Sequence, residues 1–262
     1  PRWLEAILDA VADVRLAFRS LAKSPGFALT VIAVLTLGIG VNASVFTMLK
    51  CMAFSPLSGV DGSARLTVIH GRTSAGRDVR VSYPDYRRLR DQTKSFSSLM
   101  ATGFIAANLG RGRAARQIFT ELVSGNYFST LGVRPQLGRL LEPGDERAPG
   151  QHAVAVLSDR LWRSEYHADP SIIGRTVELN TYPFTVVGVA DPSFHGTIVS
   201  YDVEMFVPLM MTRQLGYSTN PDDERAGFLY PHGWLRAGAS LAGAQAELDA
   251  LWTQLARTRP TD

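Results

Sequence analysis

The sequence predicts an α+β protein: an N-terminal amphipathic helix and one transmembrane helix, followed by a mixed α+β extracytoplasmic domain. Three observations carry this. Residues 24–50 hold no charge until Lys50. Residues 3–21 place apolar side chains at helical spacing. After Phe54 the texture changes, and short β-branched runs alternate irregularly with amphipathic ones between Gly, Pro and Asp turns. The 262 residues suffice for one or two domains with a sizeable core.

Residues 1–23 form the first predicted element. Trp3, Leu4, Ile7, Leu8, Val11, Val14, Phe18 and Leu21 recur on one side, and Arg2, Glu5, Asp9, Asp13, Arg15 and Arg19 occupy the other. Such a helix lies in the interface on the cytoplasmic side, with Trp3 and Phe18 among the lipid headgroups. Packing against a partner protein is compatible with the same pattern. Lys23-Ser-Pro-Gly26 breaks it, and Pro25 can start the next helix.

Residues 24–54 form the predicted span. Crossing about 30 Å of hydrocarbon takes roughly 20 apolar residues. Residues 26–49 supply about 24, with no internal proline. A core helix seldom stays apolar on every face for so long. A cleaved export signal has a shorter apolar stretch nearer the N-terminus. Cys51 follows Lys50, where a lipoprotein signal needs a small residue, so it reads as a juxtamembrane thiol. Arg15, Arg19 and Lys23 precede the run and Lys50 alone sits close behind. Positive residues stay inside, which predicts a cytoplasmic N-terminus and an exterior domain. Within the span, Gly38, Gly40, Asn42 and Ser44 form a candidate helix-packing face, because small residues let backbones approach and Asn can hydrogen-bond across helices.

Residues 55–262 form the predicted exterior domain. A turn-rich linker leads to a strand at 66–70 and, within 82–99, a short helix begun by Pro84-Asp85 that carries Tyr86, Leu89 and Arg90. A strand is expected at 116–124, a short helix closed by Gly132, and a buried strand at 153–158. A helix capped by Ser158 or Asp159 follows. Two strands meet around Asn180-Thr181, short strands follow near 202–209 and 230–237, and an amphipathic helix spans 240–257. The basic stretch 110–116 reads as a solvated loop or hairpin tip.

Chemistry is sparse. A net charge of +3, with Lys23, Lys50 and Lys94 the sole lysines, gives no nucleic-acid footprint. One cysteine allows no internal disulfide and no thiolate cluster. None of the three lysines sits in a phosphate-binding loop, and Gly-x-Ser-x-Gly is absent. His70, His152, His167, His195 and His232 lack zinc spacing. His195 sits in a loop after a strand, where it reads as a structural hydrogen-bonder. Asp145-Glu146 and Asp222-Asp223-Glu224 read as solvated turns or a helix cap. No catalytic, cofactor or metal residue is therefore expected.

The ordered set of motifs resembles the MacB/FtsX-like permease family of ABC transporters. The segment 24–46, with Leu-Gly-Ile-Gly-x-Asn at 37–42, is similar to that family's first membrane helix. The core-domain matches are SYPDYRRLRDQTKSF (82–96), VSGNYFSTLGVRPQLGRLL (123–141), VAVLSDRLWRSEY (154–166), DPSIIGRTVELNTYPFTVVGVADPSF (169–194) and VPL (207–209). The resemblance implies a non-catalytic inner-membrane permease working with a separate or fused ABC-type ATP-binding subunit or domain, which would hold the ATP. It also implies a homodimer or pseudo-dimer, and a periplasmic adaptor with an outer-membrane channel in MacB-like systems; relatives extract lipoproteins or regulate cell-wall hydrolases. The family carries at least four spans, so one span and a first residue Pro1 lead us to expect a piece of a longer chain with an incomplete core domain. The alternative from another class is a single-span membrane-anchored periplasmic binding or scaffold protein. A tethered hydrolase has only scattered histidines behind it.

Overall fold

The computed structural model describes residues 24–54, 57–72, 78–112, 115–198, 201–216 and 220–258. The expected amphipathic helix over 1–23 lies outside them. The chain divides into two units, Pro1–Ser55 and Pro56–Asp262.

In the first unit, helix α1 runs over Pro25–Phe54. Pro25 stands in its first turn, where a missing N–H costs nothing, and Ala28 N–H bonds Ser24 O at 3.1 Å. At 1.5 Å per residue its 30 residues reach about 45 Å. Residues Pro25–Thr47 have a mean hydropathy of 2.1, long and apolar enough to cross a membrane. Phe27, Leu37, Ile39 and Phe46 are all exposed, as expected of a helix solvated by lipid rather than by protein.

The second unit is built on strands β1 Leu66–Val68, β2 Gly71–Arg72, β3 Asp78–Val79, β4 Phe96–Leu109, β5 Arg116–Val123, β6 Pro135–Gly138, β7 Val154–Leu157, β8 Thr176–Leu179, β9 Tyr182–Ala190, β10 Met205–Pro208 and β11 Tyr230–Leu235. Its helices are α2 Tyr83–Gln92, α3 Tyr127–Leu131, α4 Asp159–Tyr166 and α5 Leu241–Thr258. Local chemistry sets the helix ends. The Ser82 hydroxyl accepts from Asp85 N–H at 3.3 Å and Ser158 from Leu161 N–H at 3.2 Å, each an N-cap. Gly132 closes α3 in the left-handed conformation.

The nine-stranded sheet has the order β1-β11-β4-β5-β10-β7-β9-β6, and β8 pairs with both β9 and β4. That last pairing closes β4, β5, β10, β7, β9 and β8 into a ring. Asn180 makes the closure. With Thr181 it holds positive φ (49° and 67°), the two-residue turn that suits a twisted hairpin. Its N–H bonds Asn108 O and its Oδ1 accepts from Asn108 N–H, both at 2.8 Å, while its Nδ2 donates to Leu215 O at 2.7 Å. β5/β10 and β7/β9 are parallel; the other pairs are antiparallel.

The ring strands alternate between two cores, as their two-residue period requires. Met205 and Val207 join Ile118, Leu122, Leu157, Phe184 and Leu179, covered by Leu161 and Trp162 of α4 and Ala244 and Leu248 of α5. Phe206 faces the other way, with Met100, Val123, Val156, Phe194 and the α3 residues Tyr127, Phe128 and Leu131. Gly188 is required where β9 passes β6: a Cβ there would lie 1.9 Å from Arg139 O.

The short helix expected at Pro84-Asp85 is α2; it stops at Gln92, where Thr93 Oγ1 bonds Leu89 O at 2.8 Å, and β4 begins at Phe96. One expectation is narrowed. Asp145 is not a solvated turn residue. It is buried and caps a 3-10 turn over Pro143–Glu146, as the helix-cap alternative has it.

Candidate functional site

On α1, Gly38, Gly40, Asn42 and Ser44 are exposed, and nothing lies within 4 Å of a Cβ placed at Gly38 or Gly40. A helix turns about 100° per residue. Gly38 and Asn42 therefore share one stripe and Gly40 and Ser44 another, roughly 160° away. The four form two narrow small-residue faces rather than one.

In the second unit, the residues that follow the span are built into the outer core. Leu57 N–H bonds the Ser63 hydroxyl at 2.8 Å, Val60 N–H bonds Leu57 O at 3.3 Å, and Val60 is buried with Phe194, Tyr127 and Phe206. Gly59 has φ 74°, and a Cβ on it would sit 2.8 Å from Ser193. The lead-in thus rests on the loop 191–198. That loop is shaped by Asp191, whose Oδ1 accepts from Ser193 N–H at 2.9 Å and from its hydroxyl at 2.5 Å, holding the carboxyl below its usual value. Phe194 plugs the core, 5.5 Å from the Phe206 ring.

Beneath the loop lies Glu121 of β5, fully buried. Its Oε2 accepts from Tyr127 O–H at 3.0 Å and from Thr197 N–H at 3.3 Å, and its Oε1 from the Thr197 hydroxyl. Phe104 and Phe206 stand opposite it in register on the neighbouring strands. Burial pushes the Glu121 carboxyl up to about 7, against the opposing effect of the hydrogen bonds from Thr197 and Tyr127. Burial and then the Glu121 charge push Tyr127 far upward as well. Tyr201 completes the cover, with its ring 4.8 Å from Phe119 and 5.1 Å from Phe104. A hollow of about 230 Å³ opens here between Leu57, Ser58, His195, Gly196, Ile198 and Tyr201. His195 is exposed at its edge.

The remaining candidates serve structure. His232 is buried with its Nε2 3.1 Å from Thr102 Oγ1, and burial, aided by His70, lowers it to about 4, so the ring is neutral. Asp145 takes two bonds from Arg139, at 2.7 and 3.0 Å. Burial opposes its ionisation, but Arg139 and the Glu142 N–H more than offset this and hold it low. Glu146 accepts from Gly125 N–H at 2.5 Å, and Glu224 pairs with Arg88. Cys51 lies in the last turn of α1. His167 ends α4 with φ 52°, and His152 is half-buried. Among the described residues no group of His, Cys, Asp or Glu is placed to hold a metal ion. A groove of about 780 Å³ is lined by mixed charges including Arg80, Asp85, Glu224 and Arg225, with Trp252.

Sequence reasoning missed Glu121, and a signal was present: a lone carboxylate between Thr120 and Leu122 in an apolar strand, where charge is expensive.

The fold matches solved outer domains of transporters. The periplasmic region of MacB from Actinobacillus actinomycetemcomitans superposes with a TM-score of 0.56 at 18% identity, over 75% of this chain and 86% of that one. The extracellular domain of the noncanonic ABC-type transporter YknZ from Gram-positive bacteria gives 0.54 at 12% identity, over 73% and 94%. In sequence, the macrolide export ATP-binding/permease protein MacB of Chlorobium luteolum is 27% identical over 192 residues, 71% of this chain. The chain spans 28% of that relative's length. The family described as MacB-like periplasmic core domain matches residues 27–251, from inside α1 to within α5. The chain belongs to the MacB-like periplasmic core domain family.

Proposed function

We propose that this chain is the first span and outer domain of a non-catalytic MacB-type permease. In this reading, ATP-driven motion of a cytoplasmic ABC-type subunit is relayed through α1 to the exterior domain, for export or extraction of a substrate. The observation that carries it is the continuity of the family match through the apolar helix and the whole outer domain. The charge bias around α1 supports an N-terminus inside and the domain outside the inner membrane. The residues after the span, from Leu57 to Val60, are locked into the outer core by the loop 191–198, so a pull on them reaches the sheet rather than a slack linker.

The two small-residue faces of α1 support association with more than one further membrane helix, in a homodimer or beside another permease half. A periplasmic adaptor and an outer-membrane channel complete the proposed assembly, and ATP binds the separate or fused ATP-binding subunit or domain. Capture of the full-length protein from native membranes tests the reading. Recovery of a nucleotide-binding subunit is expected, with ATPase activity that changes when the outer domain is removed. Repeated recovery of the full-length protein with neither an ATP-binding partner nor an ATP-binding domain of its own would refute it. A single-span binding protein is the second reading, favoured by the mixed-charge groove beside Trp252.

A further inference from the structure

The buried carboxylate under the loop 191–198 has no structural need of a charge. A Gln would fill its space and keep its donors company, yet a Glu stands there. Its neighbours among the described residues are mostly uncharged. From α3 it meets the Tyr127 hydroxyl, and from the loop the Thr197 hydroxyl and N–H. From β4 and β10 it faces Phe104 and Phe206. Asp191 and His195, the titratable groups of the loop itself, lie towards the surface, Asp191 tied to Ser193. Glu204, before β10, is paired with Arg116 at 2.8 Å. Among the described residues no Arg, Lys or His pairs with Glu121.

We propose that Glu121 is a proton-binding site that latches the loop 191–198 onto the sheet, so that the seat of the residues following the span is tighter in acid than in alkali. The proton balance is simple. A proton from water joins Oε1, which donates to the Thr197 hydroxyl oxygen while the hydroxyl hydrogen rotates away. Oε2, now the carbonyl oxygen, still accepts from Tyr127 and from Thr197 N–H. On ionisation the proton leaves to solvent, and the charge that remains is held by the Tyr127 and Thr197 donors but has no cationic partner among the described residues. Water can then reach it only if the loop lifts. Gly196 makes the closed form tight, since a Cβ there would lie 2.8 Å from Glu121 Oε2.

The sign follows from linkage. Burial raises this carboxyl above its usual value, so the closed loop binds the proton more tightly than the open loop. Closure is therefore favoured at low pH and lost as pH rises through the raised value. The inference deepens the relay reading, because an exterior domain experiences external pH, but its test needs no ATPase. A failed latch leaves the permease assignment standing, and the reverse holds too.

The test is amide hydrogen exchange of residues 194–198 in the 262-residue chain in lipid nanodiscs, from pH 5.5 to 8.5, corrected for the intrinsic pH dependence of exchange. Opening should rise about thirtyfold between pH 5.5 and 8.5 in the wild type, with only about fourfold of that above pH 6.5. In Glu121→Gln it should stay level. A level wild-type profile, or an equal slope in the variant, would overturn the latch. Should Glu121→Gln fold poorly, carboxyl carbon resonances of the labelled wild type decide the matter. The resonance assigned to Glu121 should titrate at least a pH unit above the usual carboxyl value, and titration of Glu121 near 4.5 would refute the proposal.

Discussion

Helix α1 and strand β4 are the two long apolar elements of this chain, and both are rich in small residues. Their side chains meet opposite fates. In α1, nothing lies within 4 Å of a Cβ at Gly38 or Gly40, and Phe27, Leu37 and Phe46 are exposed. In β4, Met100, Ala101, Ala107 and Leu109 are fully or nearly fully buried, and Gly103 lies against Phe228. The small residues of β4 are consumed by the fold. Those of α1 await lipid or another helix. Among the described residues, the second unit packs its small residues internally, whereas α1 leaves its own uncovered.

The largest effect that would break this contrast comes from the outer core. Phe206→Ala removes a ring packed on Tyr127, Phe128 and Phe194 and should cost about 3–5 kcal/mol. Thermal melting by near-ultraviolet circular dichroism should show the domain signal lost while the far-ultraviolet helix of α1 remains in detergent. Joint loss of both would mean that the two regions are not independent.

Next comes pH. The carboxyl of Glu121 titrates near 4.5 when unfolded and at about 7 when folded. Its contribution is complete below the unfolded value and lost as pH rises through the folded one. Outer-domain stability should fall by roughly 3 kcal/mol across that window. Glu121→Gln should flatten the slope, as measured by urea midpoints at constant ionic strength.

Asn180→Gly comes third. It keeps the positive φ but loses the bonds to Asn108 N–H and Leu215 O. About 1–2 kcal/mol of stability should go, with faster amide exchange at the β4/β8 seam. The smallest effect on the domain is expected from Gly40→Leu. The stability of the domain should hold within about 0.5 kcal/mol, while the yield of co-purified membrane partners falls severalfold through lost helix packing.

Much of the fold was legible for local reasons. Ser82 and Ser158 announce helix starts, Gly132 a helix end, and Asn180-Thr181 a hairpin. β4 was not. Its sequence, FSSLMATGFIAANL, has neither strict alternation nor β-branched enrichment, because residues such as Ala101, Ala107 and Leu109 fill one core while others fill the second or are exposed. Ring closure through β8 was equally hidden, since it joins residues about 70 apart in sequence. The candidate face on α1 was readable as composition, but its division into two stripes needed the helical rotation. Glu121 was visible only as an oddity, because its meaning depends on a loop that returns over it about 76 residues later.

In the proposed function, α1 and the outer domain are parts of one relay. Spin labels at Leu49→Cys and Ser129→Cys, in a Cys51→Ser background reconstituted with the nucleotide-binding subunit in nanodiscs, report it directly by pulsed electron resonance. The account predicts that ATP, with hydrolysis blocked, shifts the distance distribution by several ångströms relative to the nucleotide-free state. An identical distribution in the two states, in samples where ATP binding is verified, would contradict it.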